Sequence, residues 1–291
     1  MNRETVFAKL ETITSLPTLP AIMNRLNAAV LDPNTNADHI AKITKDDPSM
    51  MARILKVVNS AAYAADEPVT SINLAVARMG FVAVKNIAMS TAVFSTFDRK
   101  GANDFDREEF WRHSVCVGIG AYVLYQRVQE SCSTVKIPKD VMHLSGLLHD
   151  IGKIIFENFF HGDFMRSLDL AGEKQLPLFV AEREIFGTDH AEVGAWLAVK
   201  WNLAKEVIEV VRWHHEPEKA AEKYLDLTRL CHTANHICNL EKIGNGGDLK
   251  APVFNIGVWK RLGLKVKDIR EIVKDVVAES AQSETLMSFM S

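Results

Sequence analysis

Apolar residues along this chain recur at the three-and-four spacing of helices, and no run of alternating apolar and polar positions marks a strand. Over residues 19–31, Leu19, Ile22, Met23, Leu26, Ala29 and Val30 share one stripe, and Pro17 and Pro20 suit a helix start. The segment DPNTNADHIAKIT reads as a turn and a short helix with Ile40 and Ile43 inward. Asp47-Pro48 opens the next helix, because aspartate accepts first-turn amide hydrogens and proline at the first helical position loses no bond. Ser71 is placed to cap SINLAVARM, and Gly80 to close it. Residues 82–97, VAVKNIAMSTAVFSTF, are apolar nearly all round, the mark of a buried helix.

The charged stretch FDRKGANDFD (97–106) breaks this pattern and supplies turn chemistry. It divides the chain into an N-terminal helical part, 1–97, and a second helical part, 98–291. The second is expected to hold helices over 106–130, 139–160, 163–173, 177–186, 189–201, 204–213 and 226–241. The run GNGGDLKAP (244–252) reads as a flexible loop, and with no strand before it the glycines do not make a phosphate loop. The predicted class is therefore all-α, a multi-helix bundle with an N-terminal helical subdomain packed on it.

With 47% apolar residues among 291, the chain can bury a large core without staples. Four cysteines with no CxxC pair point to reduced, mostly buried thiols, and the first twenty residues lack the apolar core of a signal peptide. No stretch reaches the roughly 20 apolar residues of a membrane span. A cytoplasmic location without a membrane is the expectation. A net charge of −3 gives no electrostatic reason for a nucleic-acid partner, despite a helix-turn-helix look over residues 37–59.

Candidate chemistry lies in the second part. Glu109 and His113 are four apart, so they share a helix face. His149 and Asp150 are adjacent in LLHDIGK, with Lys153 one turn later; His190 stands at a helix start capped by Thr188 or Asp189; His214 and His215 end a helix before Pro217. Imidazole and carboxylate suit Fe, Mn, Zn, Co or Ni, and several helices can focus such groups on one point. Asp150 can bridge two ions about 3.5–4 Å apart, which would activate water and clamp a phosphate oxygen. Lys153 can hold a substrate phosphate as a point charge. His39, His143, His161, His232 and His236 have no carboxylate at ligand spacing and read as structural or surface residues.

These residues resemble the HD superfamily of metal-dependent phosphohydrolases. The chain as a whole resembles more closely the HDOD family, the HD-related output domains. The likeness lies in LPTLP, KDDPSMMARILKVVNSAAY, TSINLAVARMG, LLHDIGK, EREIFGTDHAEVGAWLAVKWNL and VVRWHHEP, covering about residues 15–220. It implies an all-α fold and a role in bacterial signal transduction. By the same resemblance His113 matches the first HD-type histidine, His149 and Asp150 the name-giving pair, and His190, His214 and His215 the later histidines of two-metal members. Glu109 falls where the HD-GYP branch places an extra acidic ligand. Two departures stand out. The late aspartate of HD enzymes is replaced by Asn235 in LCHTANHICNL, and HHEPEKAAEKY lacks the GYP signature. An amide oxygen can ligate but brings no charge. The resemblance therefore implies a regulatory module, with a signalling protein or nucleotide as partner and a divalent site of one or two ions weakened for catalysis. The alternative is a phosphohydrolase or phosphodiesterase acting on a nucleotide or cyclic dinucleotide.

Overall fold

Helices form where the apolar spacing places them, and no strand occurs among the described residues. The structure is a computed structural model describing residues 1–13, 25–26, 28–29, 32, 34–45, 48–59, 67–97, 105–131, 136–248 and 255–282. In the first part these include α1 (Arg3–Thr12), α2 (Ala37–Lys45), α3 (Pro48–Val58), α4 (Ile72–Met79) and α5 (Phe81–Phe97). Ser71 does cap α4, its hydroxyl accepting from Leu74 N at 3.2 Å, and Gly80 ends it at φ +81°. LPTLP and most of the 19–31 stripe, Asp47 and the break at 98–104 lie outside the described residues.

The second part contains α6 (Arg107–Ser131), α7 (Lys139–Leu148), α8 (Ile151–Phe159), α9 (His161–Lys174), α10 (Leu178–Phe186), α11 (His190–Lys200), α12 (Lys205–Trp213), α13 (Leu225–Leu240), α14 (Ile256–Arg261) and α15 (Ile269–Gln282). One expectation is corrected: the single helix over 139–160 is two helices. The turn between them is His149-Asp150, with Asp150 at φ −101°, ψ 8°. The break lets α7 pack along α6 while α8 packs across α11, which one straight rod cannot do. It also leaves the His149 and Asp150 side chains at a corner between four helices rather than along one face.

One core cluster runs through both parts. Val84, Ile87 and Val93 of α5 belong to it together with Leu144 and Leu147 of α7 and Val207 of α12. Asn86 on the same helix is buried and donates to Asp140 Oδ2 at 2.6 Å. Thus α5 is buried, as its composition predicts. Helix α1 lies on the second part: Val6 and Leu10 are buried, Lys9 Nζ donates to Phe159 O at 3.0 Å, and Trp196 Nε1 donates to Glu11 at 2.9 Å. A second cluster joins α6, α13, α14 and α15 through Val117, Leu230, Trp259 and Val276. Cys116, Cys231 and Cys238 are buried; Cys132 lies outside the described residues. No helix among the described residues is long and apolar enough to cross a membrane.

Candidate metal centre

Asp150 stands at the middle of a histidine cluster drawn from α6, the α7–α8 turn, α11 and the end of α12. His190 Nε2 lies 3.1 Å and His214 Nε2 3.4 Å from its Oδ1, and His149 Nε2 lies 3.3 Å from its Oδ2. The other ring nitrogen of each histidine is tied back. His149 Nδ1 lies 2.6 Å from Gly146 O, His214 Nδ1 2.9 Å from Val211 O, and His190 Nδ1 2.6 Å from Glu182 Oε2. In a neutral ring a Nδ1–H so engaged leaves Nε2 as a lone pair pointing into the cluster, the orientation a metal-ligating imidazole takes. His190, whose charged form Glu182 favours, has to release its Nε2 proton before it can ligate. His113 departs from the pattern: both ring nitrogens face acceptors, Nδ1 at 3.3 Å from Ile243 O and Nε2 at 3.0 Å from Asn235 Oδ1, and a neutral ring has one proton to share between them.

Lys153 enters the cluster from α8 and is fully buried. Its three hydrogens are all used, donated to Asp150 Oδ2 at 2.6 Å, Gly246 O at 2.8 Å and Asp248 Oδ2 at 2.9 Å. Asp248 also accepts from Leu178 N at 3.0 Å, which fastens it to the start of α10. The stretch 244–248, expected to be a flexible loop, is instead the roof of the centre; residues 249–252 lie outside the described residues. Glycine is required at 244, where φ is +65°, and a larger residue at 246 would crowd the centre. A Cβ on Gly246 would come within 3.0 Å of the His113 ring, and one on Gly244 within 2.3 Å of His113 N.

The remaining expected residues are placed unequally. His215 stacks on Phe179, ring centroids 4.2 Å apart, and brings Nε2 to 2.8 Å from His190 Nε2. Asn235 is buried with Oδ1 3.0 Å from His113 Nε2, and accepts from Asn239 Nδ2 at 2.8 Å. The Glu109 carboxylate is not brought into the cluster: it pairs with Arg112 at 3.4 Å, and only its carbonyl reaches the roof, accepting from Asn245 N at 2.9 Å. Sequence reasoning missed Glu182 and Asp248. For Glu182 a signal existed, since it sits midway between Leu178 and Phe186 on the apolar stripe of α10, where a carboxylate needs a reason. Asp248 gave none. Of the histidines read as structural, His232 supports the site indirectly, its Nδ1 lying 2.7 Å from His214 O.

Burial pushes His113 and His214 down to about 4, which keeps both rings neutral. Burial opposes charge on His190 as well, but the Glu182 carboxylate prevails and raises it to about 10. Asp150 is held well below the usual carboxylate range; burial works against this, and His149, Lys153 and His190 outweigh it. Lys153 is raised despite burial by Asp150 and Asp248.

The donor set fits a divalent transition ion. His149 Nε2, His214 Nε2 and Asp150 Oδ1 are buried without a hydrogen-bond partner, a costly state that a cation among them would relieve. Ligand atoms within 4.8 Å of one another form two groups that share Asp150: one with His190, His214 and His215, the other with His113 and His149.

Comparison with known proteins shows which family the chain resembles. The family model of the HDOD domain matches residues 16–217. A crystal structure of an HDOD domain protein with unknown function from Geobacter sulfurreducens is 26% identical, with TM-score 0.76 over 97% of this chain and 98% of that one. A protein from Shewanella amazonensis SB2B, provisionally called a metal-dependent phosphohydrolase, is 25% identical, with TM-score 0.66 over 99% and 98%. An uncharacterized protein of Treponema pallidum (strain Nichols) is 25% identical over 225 residues, 77% of this chain and 42% of that protein. This chain therefore spans less than half of that relative's length.

Proposed function

Since this chain belongs to the HDOD domain family, we propose that it is a regulatory signal-transduction module whose HD-type centre binds a divalent ion but hydrolyses poorly. One observation carries the reading: the centre is almost closed, with His215 alone of its candidate ligands half-buried. His113, His149, Asp150, Lys153, His190 and His214 are each 0% exposed under the 244–248 roof. A phosphodiester has to reach a metal-activated water, and of the candidate ligands in the two groups only half-buried His215 meets the surface. The open cleft nearby, about 390 Å³, is bordered by Asp189, Trp213 and Glu216, neighbours in sequence of the candidate ligands, and by none of the ligands themselves. Asn235 adds to the argument by withholding a negative charge from the His113 side.

Asp150, His190, His214 and His215 would hold an ion, with His113 and His149 on the other side of Asp150. Fe, Mn, Zn, Co and Ni all suit such ligands. When bound, the metal supplies water activation and polarisation of a phosphate oxygen. The chain's own residues orient the ligands and exclude water: Glu182 fixes His190, the Gly146 and Val211 carbonyls fix His149 and His214, and Asp248 keeps the roof down. The partner would be a signalling protein or a nucleotide in the cytoplasm.

A phosphohydrolase is the second reading. The convergence of the two ligand groups on Asp150 favours it, and the Shewanella relative's name points the same way. Metal content of protein purified without chelator, read beside hydrolysis of bis(p-nitrophenyl) phosphate, separates the two. Bound metal with negligible turnover is the expected result. Brisk turnover that a chelator abolishes would overturn the regulatory reading.

A further inference from the structure

The two carboxylate oxygens of Asp150 have unlike neighbours. Oδ1 faces His190 and His214 and is without a hydrogen-bond partner. Oδ2 is held by the Lys153 ammonium at 2.6 Å, which reaches Asp248 Oδ2 at 2.9 Å on its far side. The second ligand group, His113 and His149, is thus left with one carboxylate, whose oxygen on that side already carries a cation.

We propose that Lys153 occupies the role of a second cation, so that the chain binds a single divalent ion on the Oδ1 side, with His190, His214 and His215. The inference rests on the metal-binding reading above and sharpens it from one or two ions to one. Three features support it. The ammonium is saturated by three acceptors, so it is a fixed charge rather than one waiting for substrate phosphate. Asp248 is fastened to Leu178 N at 3.0 Å, so the acceptor pair that holds the ammonium is itself anchored. A divalent ion sharing Oδ2 would meet the repulsion of the ammonium at a fully buried position, where charge interactions are poorly screened. Asn235 cannot compensate, because its amide brings no charge to the His113 side.

Removing the ammonium should therefore create a second site, since Asp150 Oδ2 becomes a free carboxylate ligand beside His113 and His149, with the negative charge of Asp248 left uncompensated nearby. The full chain is stripped with chelator, reloaded with Mn²⁺, and measured for bound equivalents and for spin coupling by electron paramagnetic resonance. Wild type should take up about one equivalent with an uncoupled signal. Lys153→Met should take up about two with an exchange-coupled signal, the mark of ions a few ångströms apart. Lys153→Met combined with Asp248→Asn should weaken the second event by at least about tenfold, the usual cost of losing a supporting group at a metal site. A coupled pair in wild type overturns the inference, and this holds even if the methionine variant does not fold. So does a folded Lys153→Met that stays at one ion. Absence of any Mn²⁺ uptake by wild type would sink the metal-binding reading too, whereas one ion in both proteins sinks only the role of Lys153.

Discussion

A Cβ built on Gly152 would lie 2.0 Å from the carbonyl oxygen of His190. Helix α8 therefore crosses α11 backbone against backbone, two residues after Asp150 and directly over the residue that faces it. The same Cβ would stand 2.8 Å from Gly194 N, one turn further along α11. This contact sets the spacing between the Asp150 carboxylate and the His190 ring.

Gly152→Ala should then damage both stability and the centre. Overpacking typically costs about 1–3 kcal/mol and occasionally more, and the upper end is expected where neither side is a rotatable side chain. The urea midpoint should drop, and bound metal should drop with it because His190 is pushed away from Asp150. An unchanged midpoint and full metal content would show that the helices do not approach this closely.

Much of the centre was legible because it obeys local rules. His113 and His190 sit on helices marked by apolar spacing, His214 follows directly on the end of another, and Asp189 caps α11 through Oδ1, accepting from Glu192 N at 2.9 Å. The break at His149-Asp150 was not legible, since Leu147, Leu148, Ile151 and Ile154 keep helical spacing straight across it, although His, Asp and Gly are weak helix formers. Asp248 lay further out of reach. It is 95 residues from Lys153, on a stretch whose glycines signal a loop equally well whether it waves in solvent or roofs a site. Glu109 failed the opposite way: the right spacing from His113 put it on the same side of α6, but at the half-exposed end, where Arg112 takes it.

Glu182→Gln should weaken metal binding about 10- to 100-fold, the range for groups that orient a ligand without touching the ion. Glu182 accepts from both Nδ1 and the backbone N of His190, at 2.6 and 2.9 Å. The amide is nearly isosteric, so the fold should survive, but an amide oxygen is a weaker acceptor and no longer raises the basicity of the ring. Isothermal titration of chelator-treated protein with Zn²⁺ measures the change. Equal affinities for variant and wild type would mean that His190 is not a ligand or needs no such support.

Without metal, stability should decline as pH falls from about 6.5 toward 4. His113 and His214 are depressed from 6.5 to about 4, so below pH 6.5 the unfolded chain binds more protons than the folded one and stability falls with pH. His190 acts in the other direction. Raised to about 10, it contributes fully below 6.5 and loses its contribution as pH rises through 10, so it does not produce the acid-side decline. Urea midpoints at pH 7.5 and pH 5, in the presence of a chelator, read this directly. A midpoint as high at pH 5 as at pH 7.5 would mean that those imidazoles are not buried in their neutral form.

Asn235 is the test of the proposal that the centre hydrolyses poorly. Its Oδ1 stands 3.0 Å from His113 Nε2 and accepts from Asn239 Nδ2 at 2.8 Å, so a carboxylate of the same shape would keep the Asn239 contact. Asn235→Asp adds one negative charge on the His113 side, opposite the charge of Lys153. It should create a weak second binding event for Mn²⁺ or raise affinity on that side about 10- to 100-fold, since one supporting group is commonly worth that much at a metal centre. Phosphodiester hydrolysis should rise with occupancy, because two ions rather than one can then clamp the reacting oxygens. Asn235→Ala is the control: it removes a partner of His113 without adding charge, and should lower occupancy only where the amide helps position that ring. If Asn235→Asp folds normally and neither uptake nor hydrolysis moves, the missing carboxylate is not what silences the centre. The closed roof, held by Lys153 and Asp248, then bears the whole effect, and variants that open it should restore turnover where the added charge did not.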